Sequence, residues 1–262
     1  MKLTDLCTGC PCAVQEDMVR IDGLTAIPRW EERTLLQEGL LVISVDGRPA
    51  ARLVCSPREL GYLTLGYLIS SGRVKNPADI RAITVSADGS RAEVETAAPA
   101  GADGEDTVPS TGYPPTGLAE EQIPPRPPFD WEPRWIYTLA RAFREGAPLY
   151  HETHGIHSCF LMCDGEIRFF CEDIGRHNAL DKALGRALAE GLDLSRCVLF
   201  SSGRIPADMM EKVIRAGVPM LASNAVPTDK AVALARRYRV VLVCSARKDA
   251  MNIFADRGLW KP

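Results

Sequence analysis

The chain has 262 residues, 46% of them hydrophobic and 25% charged, and its 31 basic against 34 acidic side chains leave a net charge of -3. This is ordinary globular composition, and the length suffices to bury one large core or two smaller ones. The charge balance excludes a bulk polyanion binder, which depends on a surplus of Lys and Arg, so no nucleic acid is expected as a partner.

No apolar run reaches the roughly 18 to 20 residues that cross a bilayer; the most apolar stretches, 40–45 and 240–244, have strand length. The first ten residues, MKLTDLCTGC, carry no apolar h-region. No membrane partner and a cytoplasmic location are therefore the expectation. Residues 1–30 read as a Cys-containing polar leader. Cys7, Cys10 and Cys12 form C-x-x-C-x-C there, a spacing that suits mobile thiols, a metal or iron–sulfur ligand set lacking its fourth member, or a carrier of sulfane sulfur. The other six cysteines lie in or beside apolar stretches, where a free thiol packs as a small hydrophobe, and the odd total of nine argues against a disulfide framework.

Residues 31–98 read as an α+β part. Strands at 40–45 and 51–54 flank Asp46-Gly47, and strands at 80–86 and 91–96 flank Asp88-Gly89; both dipeptides suit the positive φ of a tight hairpin turn. A helix is expected at 57–71, with Pro57 in its first turn. Composition then changes: nine of the 19 prolines fall between Pro99 and Pro133. Proline removes backbone donors, so 99–133 is expected to be a long loop, serving as a connection or as a binding segment.

Residues 134–262 begin with an amphipathic helix at 134–145, where Trp135, Leu139 and Phe143 share a face. A hairpin at 157–163 and 166–171 turns on Asp164-Gly165. Helices and strands then alternate: strands at 197–200, 220–223 and 240–244 separated by helices. That succession implies right-handed crossovers, a largely parallel sheet and an α/β sandwich. The SSGR at 70–73 recurs at 201–204, but the flanking residues do not match and no repeat follows.

Ligands of parallel sheets gather beyond the carboxyl ends of the strands. Four polar loops fall there: 172–178, 201–204, 223–228 and 245–248. They bring Arg176, Arg204, Arg247 and Lys248 to one edge, and Arg forks beside Gly amides suit a phosphate-bearing ligand. Each loop taken singly is also explained as a capped helix start. Arg204, Arg247, His177 and Asp173 are expected to converge in one crevice. His177 could donate to phosphate, move a proton, or simply serve the helix start. His151, His154 and His157 suggest a metal, but a segment entering a strand sends i and i+3 to opposite faces.

The run Glu172-Asp173-Ile174-Gly175-Arg176-His177-Asn178-Ala179-Leu180-Asp181-Lys182 strongly resembles the signature of the formate dehydrogenase accessory sulfurtransferases, the FdhD family. Glu59-Leu60, Leu65-Gly66-Tyr67-Leu68, Thr153-His154-Gly155-Ile156-His157, Ser202-Gly203-Arg204, Pro227-Thr228, Ala231-Val232 and Arg247 with Met251-Asn252-Ile253 follow in the family's order. The resemblance implies a cytidine-deaminase-like three-layer α/β/α sandwich, usually a homodimer. It implies transfer of persulfide sulfur from a cysteine desulfurase to the molybdenum or tungsten bis-pterin guanine dinucleotide cofactor of formate dehydrogenase, with GDP as a mimic of that cofactor. The resemblance implies that Ser245, Ala246, Arg247, Lys248, Asp249 and Ala250 contact the guanine dinucleotide; His157, Asp173, Arg176, His177, Ser202, Gly203, Arg204 and Thr228, in or beside the strand-end loops, are the further cofactor-binding candidates. Deaminase chemistry is not implied, because no H-x-E with a following P-C-x-x-C is present.

Three positions depart from the family pattern. The sulfur-carrying Cys-x-x-Cys belongs in the loop at Pro109-Ser110-Thr111-Gly112-Tyr113-Pro114-Pro115-Thr116, which has no cysteine. His154 replaces a glycine, and Ala250 stands where a basic residue is frequent. If sulfur transfer is retained, Cys7 and Cys10 are the leading carriers. If it is lost, a cofactor- or partner-binding paralogue remains.

Overall fold

The computed structural model describes residues 1–97, 106–108 and 123–256. Two sheets organise it. In the order of their strands, the first runs β1 (2–5), β6 (80–85), β7 (91–96), β4 (39–45), β5 (48–55), β8 (106–108), and the second β10 (166–173), β9 (157–163), β11 (197–201), β12 (220–223), β13 (241–244), β14 (252–255).

The first sheet contains β1 (Lys2–Asp5), β4 (Gly39–Val45), β5 (Arg48–Cys55), β6 (Ile80–Val85), β7 (Arg91–Thr96) and the short edge strand β8 (Asp106–Val108). The β4–β5 hairpin forms as expected, with Asp46 and Gly47 at φ 49° and 75°, the positive values of a type I′ turn. The β6–β7 hairpin also forms. Helix α1 (Leu60–Ser70) starts three residues later than Pro57 suggests, because Glu59 adopts the left-handed region at φ 55°. Asp5 then serves the helix start by accepting from the Gly61 N–H at 3.0 Å.

Residues 1–30 are therefore no loose leader. β1 pairs in parallel with β6, and a boundary at 30 falls inside β3 (Pro28–Leu36), which forms an antiparallel ribbon with β2 (Ala13–Ile21). Trp30 on this ribbon is 79% exposed. Cys7 and Cys10 are joined as a disulfide with Cα atoms 6.1 Å apart, a single local pair that corrects the mobile-thiol alternative at these two residues.

The second sheet carries β9 (His157–Cys163), β10 (Glu166–Asp173), β11 (Cys197–Ser201), β12 (Met220–Ser223), β13 (Val241–Cys244) and β14 (Asn252–Ala255). Only β11, β12 and β13 are mutually parallel; β9, β10 and β14 run antiparallel to their neighbours. The sheet is thus mixed, not largely parallel, since short hairpins at both flanks reverse the chain without a crossover helix. Alternate residues face opposite layers. Cys159, Leu161, Leu199, Leu221 and Leu242 pack with α4 (Arg176–Ala189), α5 (Ala207–Ala216) and α6 (Asp229–Tyr238). Phe160, Met162, Phe200, Ala222 and Val243 pack with α2 (Pro133–Gly146). This is the three-layer α/β/α sandwich.

Helices α1 and α4 join the two halves, and both are buried on nearly every face. Their backbones touch at Gly66 and Gly185: a Cβ on Gly66 would lie 1.8 Å from the Asp181 carbonyl oxygen, and one on Gly185 1.9 Å from that of Tyr62. The other corrections are local. A short helix α3 (Pro148–Thr153) precedes β9, so His151 is helical and His154 closes the helix at φ 52°. That left-handed cap is where glycine is favoured. Among the described residues no helix is long and apolar enough to cross a membrane. The expected loop 99–133 lies largely outside the described residues; within it, 123–132 carries no helix or strand, and Arg126 donates its N–H to the Tyr238 carbonyl at 2.9 Å.

Candidate functional site

Strand directions bring the four loops to one edge. The carboxyl ends of β11, β12 and β13 lie side by side, β9 begins there because it is antiparallel to β11, and β10 ends there opposite His157. Hydrogen bonds tie the loops together: Ser223 Oγ donates to the Gly203 carbonyl at 2.7 Å, and the Ala246 N–H to the Ser223 carbonyl at 3.0 Å.

The edge divides into two clusters. In the inner one, Ser202 Oγ accepts from the Ser158 N–H at 2.9 Å and stands 3.3 Å from His157 Nδ1. Gly203 is needed here because a Cβ would meet the Arg176 side chain at 3.0 Å and His157 Nδ1 at 3.4 Å. Burial pushes the His157 imidazole below its usual range, and the neighbouring Arg176 adds to that. His157 is therefore neutral near pH 7. Arg204 is exposed on the rim, and its charge acts on Arg176.

The outer cluster is a cleft of about 390 Å³ between α2 and the loops after β12 and β13, lined by Ala140, Phe143, Arg144, Asn224, Ala246, Arg247, Lys248 and Asp249. Arg247 donates to the Asn224 carbonyl, and its N–H to the Ala250 carbonyl at 2.7 Å, closing the turn 247–250. Ser245 enters this turn at φ 53° and donates its N–H to the Ala225 carbonyl at 2.8 Å. Arg247, Lys248, Asp249 and Ala250 are all exposed, leaving two cations and Arg144 at an apolar floor. Thr228 is exposed and caps α6, accepting from the Ala231 N–H at 3.3 Å.

Asp173 and His177 do not join a shared crevice with Arg204 and Arg247. Asp173 is fully buried; its carboxylate meets Lys182 Nζ at 2.7 Å and accepts from Ser56 N–H, Gly175 N–H and Asn178 Nδ2 at 2.9 to 3.1 Å. Its work is to hold the turn that presents Arg176. His177 is 2% exposed and faces Asp208 Oδ2 at 3.3 Å. Burial, reinforced by Lys212, Arg176 and His157, pushes its pKa down to about 2, so it stays neutral and is no proton donor at physiological pH.

The unfolded imidazole binds a proton below about 6.5 and the folded one does not, so His177 makes the fold lose stability as pH falls from about 6.5 toward about 2. Urea unfolding of wild type and His177→Gln at a series of pH values should differ in slope by up to about 1.4 kcal/mol per pH unit over that window. Parallel curves would place the acid sensitivity elsewhere.

His151 and His154 pack edge-on against Tyr150, at 5.6 and 5.8 Å between ring centroids, away from any shared ligand point with His157. Among the described residues no group of three or more His, Cys, Asp or Glu gathers as a metal site. Two site residues, Asp208 and Arg144, escape the sequence reading. Asp208 lies in the first turn of α5, where an acidic residue reads as a routine helix start. Arg144 has no motif around it, and only tertiary packing of α2 brings it to the cleft beside Asn224 of the expected loop 223–228. Cys12, which the sequence offers only as the third member of C-x-x-C-x-C, is a half-buried free thiol within the fields of Lys182, Arg58 and Asp173.

Comparison with known proteins gives a consistent answer. A chain from Streptomyces avermitilis called "Sulfur carrier protein FdhD" is 32% identical over 252 residues, covering 85% of this chain and 87% of its own. One of the same name from Methanothermobacter thermautotrophicus is 31% identical over 220 residues, covering 81% and 86%. A crystal structure of a formate dehydrogenase accessory protein from Desulfotalea psychrophila superposes with a TM-score of 0.79 over 95% of this chain and 99% of that one, at 24% identity, which speaks for the fold. The profile of the FdhD/NarQ family matches residues 36–259, and the chain belongs to that family.

Proposed function

We propose that this protein is a maturation factor for formate dehydrogenase that carries sulfur from a cysteine desulfurase and delivers it to the molybdenum or tungsten bis-pterin guanine dinucleotide cofactor, its substrate. The carrying observation is the family match over residues 36–259. The relatives' name, sulfur carrier protein, supports the sulfur step. The cationic cleft supports the nucleotide step: a diphosphate is met by Arg247, Lys248 and Arg144 at the rim, and a planar base by the apolar floor of Phe143 and Ala140. Arg176 and Arg204 extend the cationic surface along the same edge. The protein acts in the cytoplasm as a homodimer in this reading.

Calorimetry with GDP tests the pocket. A charged hydrogen bond contributes roughly 1.5 to 3 kcal/mol, so Arg247→Ala should weaken GDP about tenfold or more, at about 1.4 kcal/mol per decade. Unchanged affinity in both Arg204→Ala and Arg247→Ala would overturn the assignment.

A second reading is favoured by the absence of cysteine between Pro109 and Thr116: a cofactor- or partner-binding paralogue without sulfur transfer. It would be indicated by intact GDP binding together with failure to restore formate dehydrogenase activity in an accessory-null strain.

A further inference from the structure

All nine cysteines lie within the described residues. Six of them, Cys55, Cys159, Cys163, Cys171, Cys197 and Cys244, are buried on strands of the two sheets. Burial raises their thiols, Cys55 and Cys244 to about 12. Accepting sulfur requires an accessible thiolate, so these six are excluded. The segment 7–12 holds the other three, and there the structure separates the roles. Cys7 is buried, packed against the Gly89 turn and Leu60, and bonded to Cys10. Cys10 is partly buried, and Cys12 is a half-buried free thiol.

Cys12 is placed differently from its neighbours. Half-burial raises its thiol, Asp173 adding to that, while the charges of Lys182 and Arg58 act the other way; unlike the six strand cysteines it keeps a solvent-facing side. The charge of Arg58 also acts on Glu172. Glu172 accepts from Ser158 Oγ at 3.3 Å, and the Ser158 N–H bonds Ser202 Oγ, which stands beside His157. The field of Arg58 therefore reaches both the Cys12 thiol and Glu172, and hydrogen bonds tie Glu172 to the inner cluster of the strand-end site.

We propose that Cys12 is the residue that holds the transferred sulfur, with Cys10 and Cys7 as the thiols that release it. This rests on the sulfur-carrier reading above. In loading, the Cys12 thiolate attacks the outer sulfur of a donor's persulfide. The bond from Cys12 Sγ to that sulfur forms, the donor's S–S bond breaks, and the donor leaves as a thiolate that takes up the proton Cys12 gave. No net oxidation occurs. In release, the Cys10 thiolate attacks Cys12 Sγ; the Cys10–Cys12 bond forms and the sulfur departs as hydrosulfide, reduced by the two electrons of the two thiols. Cys7 then exchanges into that bridge, freeing Cys12 and leaving Cys7 bonded to Cys10. That end state is the arrangement observed, a Cys7–Cys10 bridge beside a free Cys12, and its Cα separation of 6.1 Å falls in the normal range for a disulfide. An external dithiol reductant resets the pair by thiol–disulfide exchange.

The full chain, reduced with a dithiol and desalted, is incubated with glutathione persulfide. Bound sulfane sulfur is measured by cyanolysis, its position by mass spectrometry of peptides, and released sulfide in parallel. The Cys7→Ser/Cys10→Ser variant should retain sulfur on Cys12 and release no hydrosulfide, whereas Cys12→Ser should lose the bound sulfur. GDP binding, measured on each variant, should be unchanged and reports that the site is folded. Sulfur retained at the wild-type level in Cys12→Ser, or hydrosulfide released normally by Cys7→Ser/Cys10→Ser, would overturn the assignment to Cys12 and leave the carrier reading standing. No sulfur on the reduced wild type, with GDP bound, would overturn both.

Discussion

Alanine at Gly185 is expected to bring one of the two largest losses of stability available to a single methyl group at the described glycines. The added Cβ would lie 1.9 Å from the Tyr62 carbonyl oxygen and 2.8 Å from the Gly66 nitrogen. Both are backbone atoms of α1, so no side chain can rotate away, and the two helices must separate by more than an ångström. Overpacking ordinarily costs about 1 to 3 kcal/mol, and a backbone clash along the joint between the two halves belongs at or beyond the upper end. For a chain of this size each kcal/mol moves the melting temperature by about 2 to 4 °C, so a drop of about 6 to 12 °C is expected, and Gly66→Ala should match it from the other side. Gly146 is the control: a Cβ there meets nothing within 4 Å and φ is not positive, so Gly146→Ala should melt within a degree or two of wild type. A Gly185→Ala protein as stable as Gly146→Ala would show that the helices are free to move apart.

The same joint marks the limit of what was legible in the sequence. The Asp-Gly turns at 46–47 and 164–165 were readable because a two-residue turn with positive φ is a local requirement that few residues meet. The alternation of 197–244 was readable from apolar periodicity. The β2–β3 ribbon was not, because Gln15, Glu16, Asp17, Glu31, Glu32 and Arg33 spread polarity over both of its faces and erase the period-two signal. Nor does anything local distinguish Gly66 and Gly185 from tolerated helical glycines; their necessity arises only when two helices meet. For the site, placing four loops at one edge needed only strand direction, which the sequence pattern supplied. Their division into two clusters depended on burial. Asp173 and His177 occupy the most recognisable run of the chain, yet they turn inward, and Asp181 of the same run meets Lys212 and Ser70 in the interior. Most of that run's polarity builds the platform from which Arg176 projects.

The buried pair of Asp173 and Lys182 provides the second large effect, and here the two partners should not behave alike. Lys182 is fully buried; its ammonium donates to Asp173 and to the Ser56 and Glu172 carbonyls at 3.2 Å. Burial is the strongest single influence and works against that charge, but Asp173, joined by Cys55 and Glu59, holds the Lys182 pKa above its usual value. Removing one member of such a pair costs about 3 to 5 kcal/mol because the other is left charged and dry. Lys182→Met should show the full cost: it strands the Asp173 carboxylate and two carbonyl oxygens together. Asp173→Asn should cost less than Lys182→Met, since the amide keeps an oxygen for the Ser56 or Gly175 N–H. Replacing both charges removes the stranded carboxylate, so the double variant Asp173→Asn/Lys182→Met should be more stable than Lys182→Met alone, a coupling that equilibrium unfolding in urea measures directly. Strict additivity of the two substitutions would mean that the carboxylate is not held by Lys182, and that the turn presenting Arg176 is anchored by its backbone hydrogen bonds instead.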